Sequence, residues 1–231
     1  MDTIKAILFE PVACLAEFRP DEFNRAAQEL DGKADGSAAT GSQAYWQLVG
    51  LLGRRGDALA GADLARLEAL ELQAVEAADL YPDVPACLAE LRHLGVAAYL
   101  VSSLSRPAVR RFLERFSLAQ SFAGSVARAD AGGVAAMPVR HVLAQAGLEA
   151  GRTMLLVDTA EMLELAKTLG LKAVLMINDY DEGRVLAERS PAGGIVSLAE
   201  LPDALRLIEQ RSGLRTQSRA PRQPYDLFDP T

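Results

Sequence analysis

The stretch that decides the fold is TMLLVDTAEMLELAKTLGLKAVLMI, residues 153–177. An apolar run at 153–157 is followed by Asp158, then by a segment with helical spacing that ends at Gly170 and leads into a second apolar run. Two short apolar runs separated by about ten residues of helical periodicity predict parallel strands joined by a crossover helix. Such units build an α/β sheet with helices on both faces.

The same alternation continues outward from this unit. Further apolar runs lie at residues 4–9, 96–101 and 194–196, and amphipathic segments predicted as helices separate those that follow residue 80. Residues 16–79 differ in kind, because they contain three helical stretches separated by Gly-rich breaks and no predicted strand. The sequence therefore predicts an α/β core, a parallel sheet flanked by helices, with a small all-helical cap inserted after the first strand.

The boundaries of these units follow from the same pattern. We assign residues 1–15 and 80–211 to the core and residues 16–79 to the cap. Residues 212–231 contain three prolines and no periodicity, and they are predicted to form an extended tail. Its PYDLF segment (224–228) brings three large apolar side chains together, so we expect it to dock on the core, on a second copy or on a partner protein. A mobile end is the alternative.

Composition excludes several classes of function. The chain has 231 residues, of which 50% are hydrophobic and 24% charged, as in a folded globular protein. Its net charge of −7 gives no electrostatic reason to bind nucleic acid or an acidic membrane surface. No apolar run approaches the roughly 20 residues that cross a bilayer, and no signal peptide is expected at the N-terminus. With only Cys14 and Cys87, a disulfide framework is excluded and a cytoplasmic location is expected.

Polar side chains follow three of the predicted strands. Glu10 follows the first strand, Ser102 and Ser103 follow the strand at 96–101, and Asp158 follows the strand quoted above. The carboxyl ends of parallel strands meet at one edge of an open sheet, which is where ligands bind. These residues therefore predict a functional site, although acids and serines also follow strands merely as helix caps.

Together these segments resemble the haloacid dehalogenase (HAD) superfamily over about residues 3–210. LFEPVACL (8–15) is similar to the family's nucleophile loop, and LYPDVPACLAELRHLG (80–95) to the segment that re-enters the core after the cap. AYLVSSLSR (98–106) is similar to the phosphate-binding motif, and LLVDTAEMLELAKTLGLKAVLM (155–176) to the last motif. The resemblance implies a HAD-like Rossmannoid core with a helical cap, in the branch that contains phosphoglycolate phosphatases and haloacid dehalogenases.

The resemblance also implies a catalytic set that this sequence holds only in part. The family's nucleophilic aspartate corresponds to Glu10, and its general acid–base to Val12, which cannot transfer a proton. The lysine that neutralises the phosphate corresponds to Met137, and the second acid of the last motif to Met162. Loss of a general acid–base alone lowers rates by about 10²- to 10⁴-fold. We therefore expect phosphatase activity to be absent or strongly impaired.

The polar residues that this sequence keeps could still perform some functions of the family's site. The resemblance makes Glu10 and Ser102 the catalytic candidates of a degenerate set, and it makes Ser102, Ser103 and Arg140 candidate ligand-binding residues. It also implies that Glu10, the carbonyl of Val12 and Asp158 could bind Mg²⁺ weakly. Two aromatic residues of the predicted cap, Tyr45 and Trp46, are expected to pack between cap and core.

Three functions are compatible with this sequence. The first is a non-catalytic or impaired HAD-like protein that binds a small phosphorylated ligand or a protein partner, with a homo-oligomer also possible. The second is an active hydrolase that uses Glu10 on a small phosphorylated metabolite. The third is a haloacid dehalogenase, a class that dispenses with the second acid and the metal, as Val12 would allow, but keeps the aspartate and the lysine. An assignment from fold alone would be analogy.

Overall fold

A parallel β-sheet forms the centre of the molecule in the computed structural model. The model describes residues 3–31, 38–55 and 61–218, with only the backbone described for 212–218. In these ranges six strands pair in the order β5-β4-β1-β6-β7-β8, and every pairing between them is parallel. The strands are β1 (Ala6–Phe9), β4 (Ala97–Val101), β5 (Gly124–Val126), β6 (Thr153–Val157), β7 (Lys172–Met176) and β8 (Gly193–Ile195). The predicted α/β fold is confirmed.

Helices follow the strands along the chain and flank this sheet. A single distorted turn, α1 (Pro11–Cys14), follows β1. The later helices are α5 (Val84–His93), α6 (Arg106–Arg115), α7 (Arg128–Ala131), α8 (Ala136–Gln145), α9 (Ala160–Leu169), α10 (Tyr180–Ala187) and α11 (Leu201–Ser218).

A helical insert separates the first strand from the rest of the core. It consists of α2 (Pro20–Asp31), α3 (Gly41–Arg55) and α4 (Gly61–Ala77). Two short strands, β2 (Ala16–Glu17) and β3 (Asp79–Leu80), pair antiparallel where the chain leaves and re-enters the core. Phe18 at the start of the insert stacks on Phe112 of α6, with ring centroids 6.0 Å apart. The apolar face of the insert thereby joins the main hydrophobic core.

The central position of β1 explains where the site lies. All four residues of β1 are buried, as expected for a strand covered by helices on both faces. Its neighbours are β4 and β6, and Leu8 is in register with both Tyr99 and Leu155. The carboxyl ends of these three strands therefore coincide, and the residues that follow them share one edge of the sheet.

The structure corrects the sequence-based prediction in five places. β5, α7 and α10 were not predicted, because each is short and lies in a stretch without clear periodicity. The boundaries of the insert carry the β2–β3 pair, whereas no strand was predicted within residues 16–79. The last helix continues to Ser218, so the beginning of the segment predicted as an extended tail is helical. The PYDLF segment lies outside the described residues. No helix in the described ranges is long and apolar enough to cross a membrane.

Candidate functional site

The loop after β1 carries the first residue of the site. Glu10 is 5% exposed and has an extended backbone, and Pro11 follows it. Ala13 adopts a left-handed conformation with φ of 65°, which favours glycine over residues with a Cβ atom. This turn directs the chain back toward Ala16 and leaves Glu10 beneath the helical insert.

Three side chains form a buried hydrogen-bonded group that we call the buried triad: Glu10, Tyr45 and Ser102. The Ser102 hydroxyl donates to Oε1 of Glu10 at 2.6 Å, and the Tyr45 hydroxyl donates to Oε2 at 3.0 Å. The Tyr45 oxygen accepts a hydrogen bond from the backbone N–H of Ser103 at 3.1 Å, and Ser102 Oγ accepts one from the N–H of Leu104 at 3.2 Å. Both carboxylate oxygens of Glu10 are therefore occupied by protein donors.

Burial changes the protonation of Glu10. Desolvation raises its pKa to about 8, although the hydrogen bonds from Ser102 and Tyr45 lower it, and the negative charge of Asp158 raises it further. Among the described residues, no cation contributes to stabilising its charge. Glu10 is therefore mostly neutral at pH 7, and a protonated carboxyl is a poor nucleophile.

Asp158 is the second acid at this edge and is also held by the insert. The indole N–H of Trp46 donates to its two carboxylate oxygens at 3.1 and 3.2 Å. Burial raises the pKa of Asp158 to about 6, and hydrogen bonds from Ser42 and Trp46 act in the opposite direction. The next residue, Thr159, caps α9 by accepting from the N–H of Met162.

A buried ion pair makes the third contact between the insert and the core. Glu71 on α4 is 1% exposed and pairs with Arg128 of α7. Its other carboxylate oxygen accepts from the N–H of Ser105 at 2.9 Å, and Arg128 also donates to the carbonyl of Ser103 at 3.1 Å. Tyr45, Trp46 and Glu71 therefore fasten the insert over the carboxyl edge of the sheet.

An open cleft runs beside the buried triad, and we call it the carboxylate groove. Its cavity volume is about 950 Å³, and it lies between the β1 loop, the start of α3, the loop after β3 and the region of α10. Four acids line it: Glu17, Asp83, Asp179 and Glu182. Among the described residues that line it, none is Lys, Arg or His.

Comparison with known proteins identifies the family. A sequence model of haloacid dehalogenase-like hydrolases matches residues 56–176, which is more than half of the chain. The chain belongs to this family. A curated relative, Enolase-phosphatase E1 of Gluconacetobacter diazotrophicus, is 33% identical over 117 residues, which cover 49% of each chain. The match thus spans about half the length of that relative.

Solved structures show the same HAD-like fold. A haloacid dehalogenase-like family hydrolase from Streptococcus pneumoniae has a TM-score of 0.66 at 13% identity, covering 88% of this chain and 99% of its own. A predicted phosphoglycolate phosphatase from Haemophilus somnus gives 0.63 at 12% identity, covering 88% and 98%. An L-2-haloacid dehalogenase from Xanthobacter autotrophicus gives 0.58 at 17% identity, covering 88% and 99%. At these identities the likeness shows the fold alone.

Within this HAD fold, the predicted site residues divide into two groups. Glu10, Ser102 and Asp158 meet at the carboxyl edge as expected, while Val12 is buried and lines the groove. Ser103 contributes its backbone to the triad, and its hydroxyl accepts from the N–H of Ala135 at 2.8 Å.

The remaining predicted positions lie apart from the triad. Arg140 is exposed on α8, and within the described ranges it forms no hydrogen bond or ion pair with Glu10, Ser102 or Asp158. Its role in binding a ligand stays a prediction. Met137, where the family's lysine was expected, is 43% exposed, and Met162 is buried.

The donor set suits a magnesium ion only in part. Glu10 and Asp158 provide carboxylates at one edge, but each accepts hydrogen bonds from the insert, and Met162 stands where the resemblance implies a further acid. In the described part of the chain, no three acidic, His or Cys side chains are grouped so as to hold a metal. A bound cation would therefore have to displace Tyr45 and Trp46 from the carboxylates.

Sequence reasoning missed the contribution of the insert. Tyr45 and Trp46 were expected to pack against the core, and no motif indicated that they would also bond to the two acids. Glu71 had a detectable signal, because it shares the apolar helical stripe of Leu67, Leu70 and Ala74. An acid in such a stripe is buried and needs a partner.

Proposed function

We propose that this HAD-family protein acts by binding, and that its hydrolytic activity is absent or strongly reduced. The observation that carries the proposal is the position of the Tyr45 hydroxyl. It lies between Glu10, Ser102 and the N–H of Ser103, which by resemblance are the groups that would meet a substrate's phosphate. A phosphate group cannot occupy this position while the hydroxyl is there.

The chemistry of the remaining residues supports the same proposal. A carboxylate nucleophile must be ionised, whereas burial keeps Glu10 mostly protonated at neutral pH. Val12 provides no proton-transfer group, and none of the basic residues in the described ranges lies at Glu10 to stabilise the charge that develops. Losing a donor or cation at developing charge lowers rates by about 10²- to 10³-fold.

Weak Mg²⁺ binding is part of this proposal. Glu10, the Val12 carbonyl and Asp158 are the ligands we propose, and competition from Tyr45 and Trp46 accounts for the weakness. Isothermal titration of the full chain with MgCl₂ measures this directly. Tyr45→Phe should bind Mg²⁺ more tightly than wild type, because it frees one oxygen of Glu10, and equal affinity would contradict the proposed ligands.

The competing function is hydrolysis of a small phosphorylated metabolite with Glu10 as nucleophile or metal ligand. Two observations favour it: the partial match to an enolase-phosphatase, and the space of about 950 Å³ beside the site. It requires the insert to release Glu10 before substrate binds. A haloacid dehalogenase is the weaker competitor, because the positions of its aspartate and lysine hold Glu10 and Met137.

A panel of phosphate esters with Mg²⁺ separates these functions. We expect wild-type hydrolysis of p-nitrophenyl phosphate to equal that of Glu10→Gln, at background. Turnover near the roughly 10 s⁻¹ of a typical enzyme, abolished by Glu10→Gln, would establish the hydrolase instead. A positive control combines Glu10→Asp, Val12→Asp, Met137→Lys and Tyr45→Phe. Its rate of hydrolysis should exceed that of wild type. It should also exceed the rate of the triple variant that has the other three substitutions but keeps Tyr45.

A further inference from the structure

A carboxylate of the insert is bound by two donors of the core. Glu71 on α4 pairs with Arg128 through one oxygen, and its other oxygen accepts from the N–H of Ser105 at 2.9 Å. Glu71 is 1% exposed, so this contact is shielded from solvent. Arg128 is held by a second hydrogen bond, to the carbonyl of Ser103 at 3.1 Å. We call the guanidinium of Arg128 and the N–H of Ser105 the Arg128 cradle.

The surroundings of the Arg128 cradle favour a negative charge. Ser105 caps α6, and the first turn of that helix reads RPAV, without an acid. The positive end of this helix dipole is therefore met by the carboxylate of Glu71, which belongs to the insert. Asp130, two residues after Arg128, is already paired with Arg106. Removal of Glu71 therefore leaves the charge of Arg128 unbalanced among these groups.

Stability alone gives no reason to bury this ion pair. Taking two charges out of water costs free energy, and a whole buried pair can often be replaced by apolar residues without loss of stability. The planar fork of arginine is, however, well suited to binding carboxylate and phosphate groups. Arg128 follows β5 at the carboxyl edge of the sheet, which is where ligands bind in such folds. Its position and its chemistry therefore both suit an anionic ligand.

The Arg128 cradle and the buried triad share one loop. The loop after β4 donates the N–H of Ser103 to Tyr45 and the N–H of Ser105 to Glu71. Two residues of extended chain span at most about 7 Å, so these two donors lie close together. Both acceptors belong to the insert, one on α3 and the other on α4. A single movement of the insert would withdraw both acceptors and free both N–H groups for a ligand.

We propose that the Arg128 cradle is a ligand subsite, which Glu71 occupies as an internal ligand until a small anionic molecule displaces it. The molecule carries an oxyanion group, a phosphate or a carboxylate, whose oxygens accept the two hydrogen bonds that Glu71 now accepts. Arg128 thereby supplies a cation at this edge, whereas Met137 stands at the position of the family's lysine. This proposal rests on the proposed function, because a ligand enters this edge only when the insert moves.

Isothermal titration of the full chain with inorganic phosphate, at constant ionic strength, tests the proposal. The test variant is Glu71→Gln, which removes the competing charge and keeps the size of the side chain. It should bind phosphate at least about tenfold more tightly than wild type, because an amide competes for Arg128 only through an uncharged acceptor. Phosphate should also raise the melting temperature of this variant more than that of wild type, since it stabilises the state that binds it.

Two double variants separate the effect of the cation from that of a loosened insert. Glu71→Gln with Arg128→Gln loosens the same contact but has no cation, so its phosphate affinity should fall back to the wild-type value or below. Glu71→Gln with Arg128→Lys should retain part of the gain. The matched control is Glu76→Gln, which removes a surface acid of the same helix that pairs with Arg111 and Arg115. Its phosphate affinity should equal that of wild type.

A second titration, with sodium acetate, separates a phosphate ligand from a carboxylate ligand. A gain in Glu71→Gln with either anion supports the subsite, and the anion with the larger gain identifies the group. The proposal is overturned if Glu71→Gln binds neither anion more tightly than wild type, or if the gain persists with Arg128→Gln.

These outcomes are independent of hydrolysis. Turnover by wild type in the phosphate-ester panel would refute the proposed function and leave the titration valid, whereas a failed titration with hydrolysis at background would refute the subsite alone. Circular dichroism verifies the fold of each variant. If Glu71→Gln does not fold, Glu71→Asp replaces it, because its shorter carboxylate pairs less fully with Arg128. An affinity equal to that of wild type for both anions would then overturn the proposal.

Discussion

The buried triad and the carboxylate groove lie at the same edge of the sheet, yet their acids lie in opposite environments. Glu10 is 5% exposed, its donors in the described part of the chain are neutral, and its pKa is raised to about 8. Glu17 and Glu182 are exposed beside an open cleft. A carboxyl that burial keeps mostly neutral is a poor nucleophile and attracts cations only weakly, whereas an exposed carboxylate attracts them. The difference teaches that the environment of an acid decides its chemistry.

The largest effect should come from the buried ion pair beside the triad. Glu71→Ala leaves Arg128 unpaired in a mostly buried position and removes the acceptor of the Ser105 N–H. Breaking one partner of a buried pair lowers the free energy of unfolding by about 3–5 kcal/mol. Urea denaturation measures this loss.

A matched control for Glu71 lies on the same helix. Glu76 pairs with Arg111 and Arg115 at the surface, and surface pairs contribute little to stability because water and salt screen them. Glu76→Ala should therefore change unfolding far less than Glu71→Ala. Equal losses would show that the insert is not fastened by a buried charge.

The next effect is a pH dependence that arises from Glu10. Its pKa is raised from 4.5 to about 8 in the folded protein, so between these values the folded chain holds a proton that the unfolded chain has released. Stability therefore falls as pH rises from about 4.5 to about 8, and levels off above. Glu10→Gln removes this contribution, so its stability relative to wild type should increase across the window in thermal unfolding.

Asp158→Asn provides a second test, because the pH range over which its stability changes relative to wild type should be narrower than for Glu10→Gln. The pKa of Asp158 is raised only from 3.8 to about 6, so the gain of this variant should stop growing near pH 6. If the stability of Glu10→Gln changes with pH in parallel with that of wild type, Glu10 is not neutral in the folded protein.

The smallest effect should come from removing the Tyr45 hydroxyl, which belongs to the buried triad. Tyr45→Phe removes the donor to Glu10 and leaves the Ser103 N–H without its acceptor, which should destabilise the fold by about 1–3 kcal/mol. The control is Tyr99→Phe on β4, since Tyr99 forms no side-chain hydrogen bond within the described residues. If Tyr45→Phe lowers the free energy of unfolding no more than Tyr99→Phe does, the Tyr45 hydroxyl does not help to hold the insert over Glu10.

Local patterns predicted most of the core. The strands at 153–157 and 172–176 and the helix between them are visible as periodicity, because buried strands read as continuous apolar runs and helices repeat every three to four residues. β5, which was not predicted, has only three residues, and α10 begins with polar residues. Such short elements owe their form to the neighbouring strand or packing surface, so their sequences carry weaker signals.

The sequence by itself determined the order of the longer strands and helices and the meeting of Glu10, Ser102 and Asp158 at one edge, because parallel strands end on the same side. Only the tertiary structure decided what these residues can do. Tyr45 reaches Glu10 from 35 residues away, Ser102 from 92, and Trp46 reaches Asp158 from 112. Desolvation of the two acids depends on these distant side chains and on the insert that carries two of them, so no local pattern could predict their protonation.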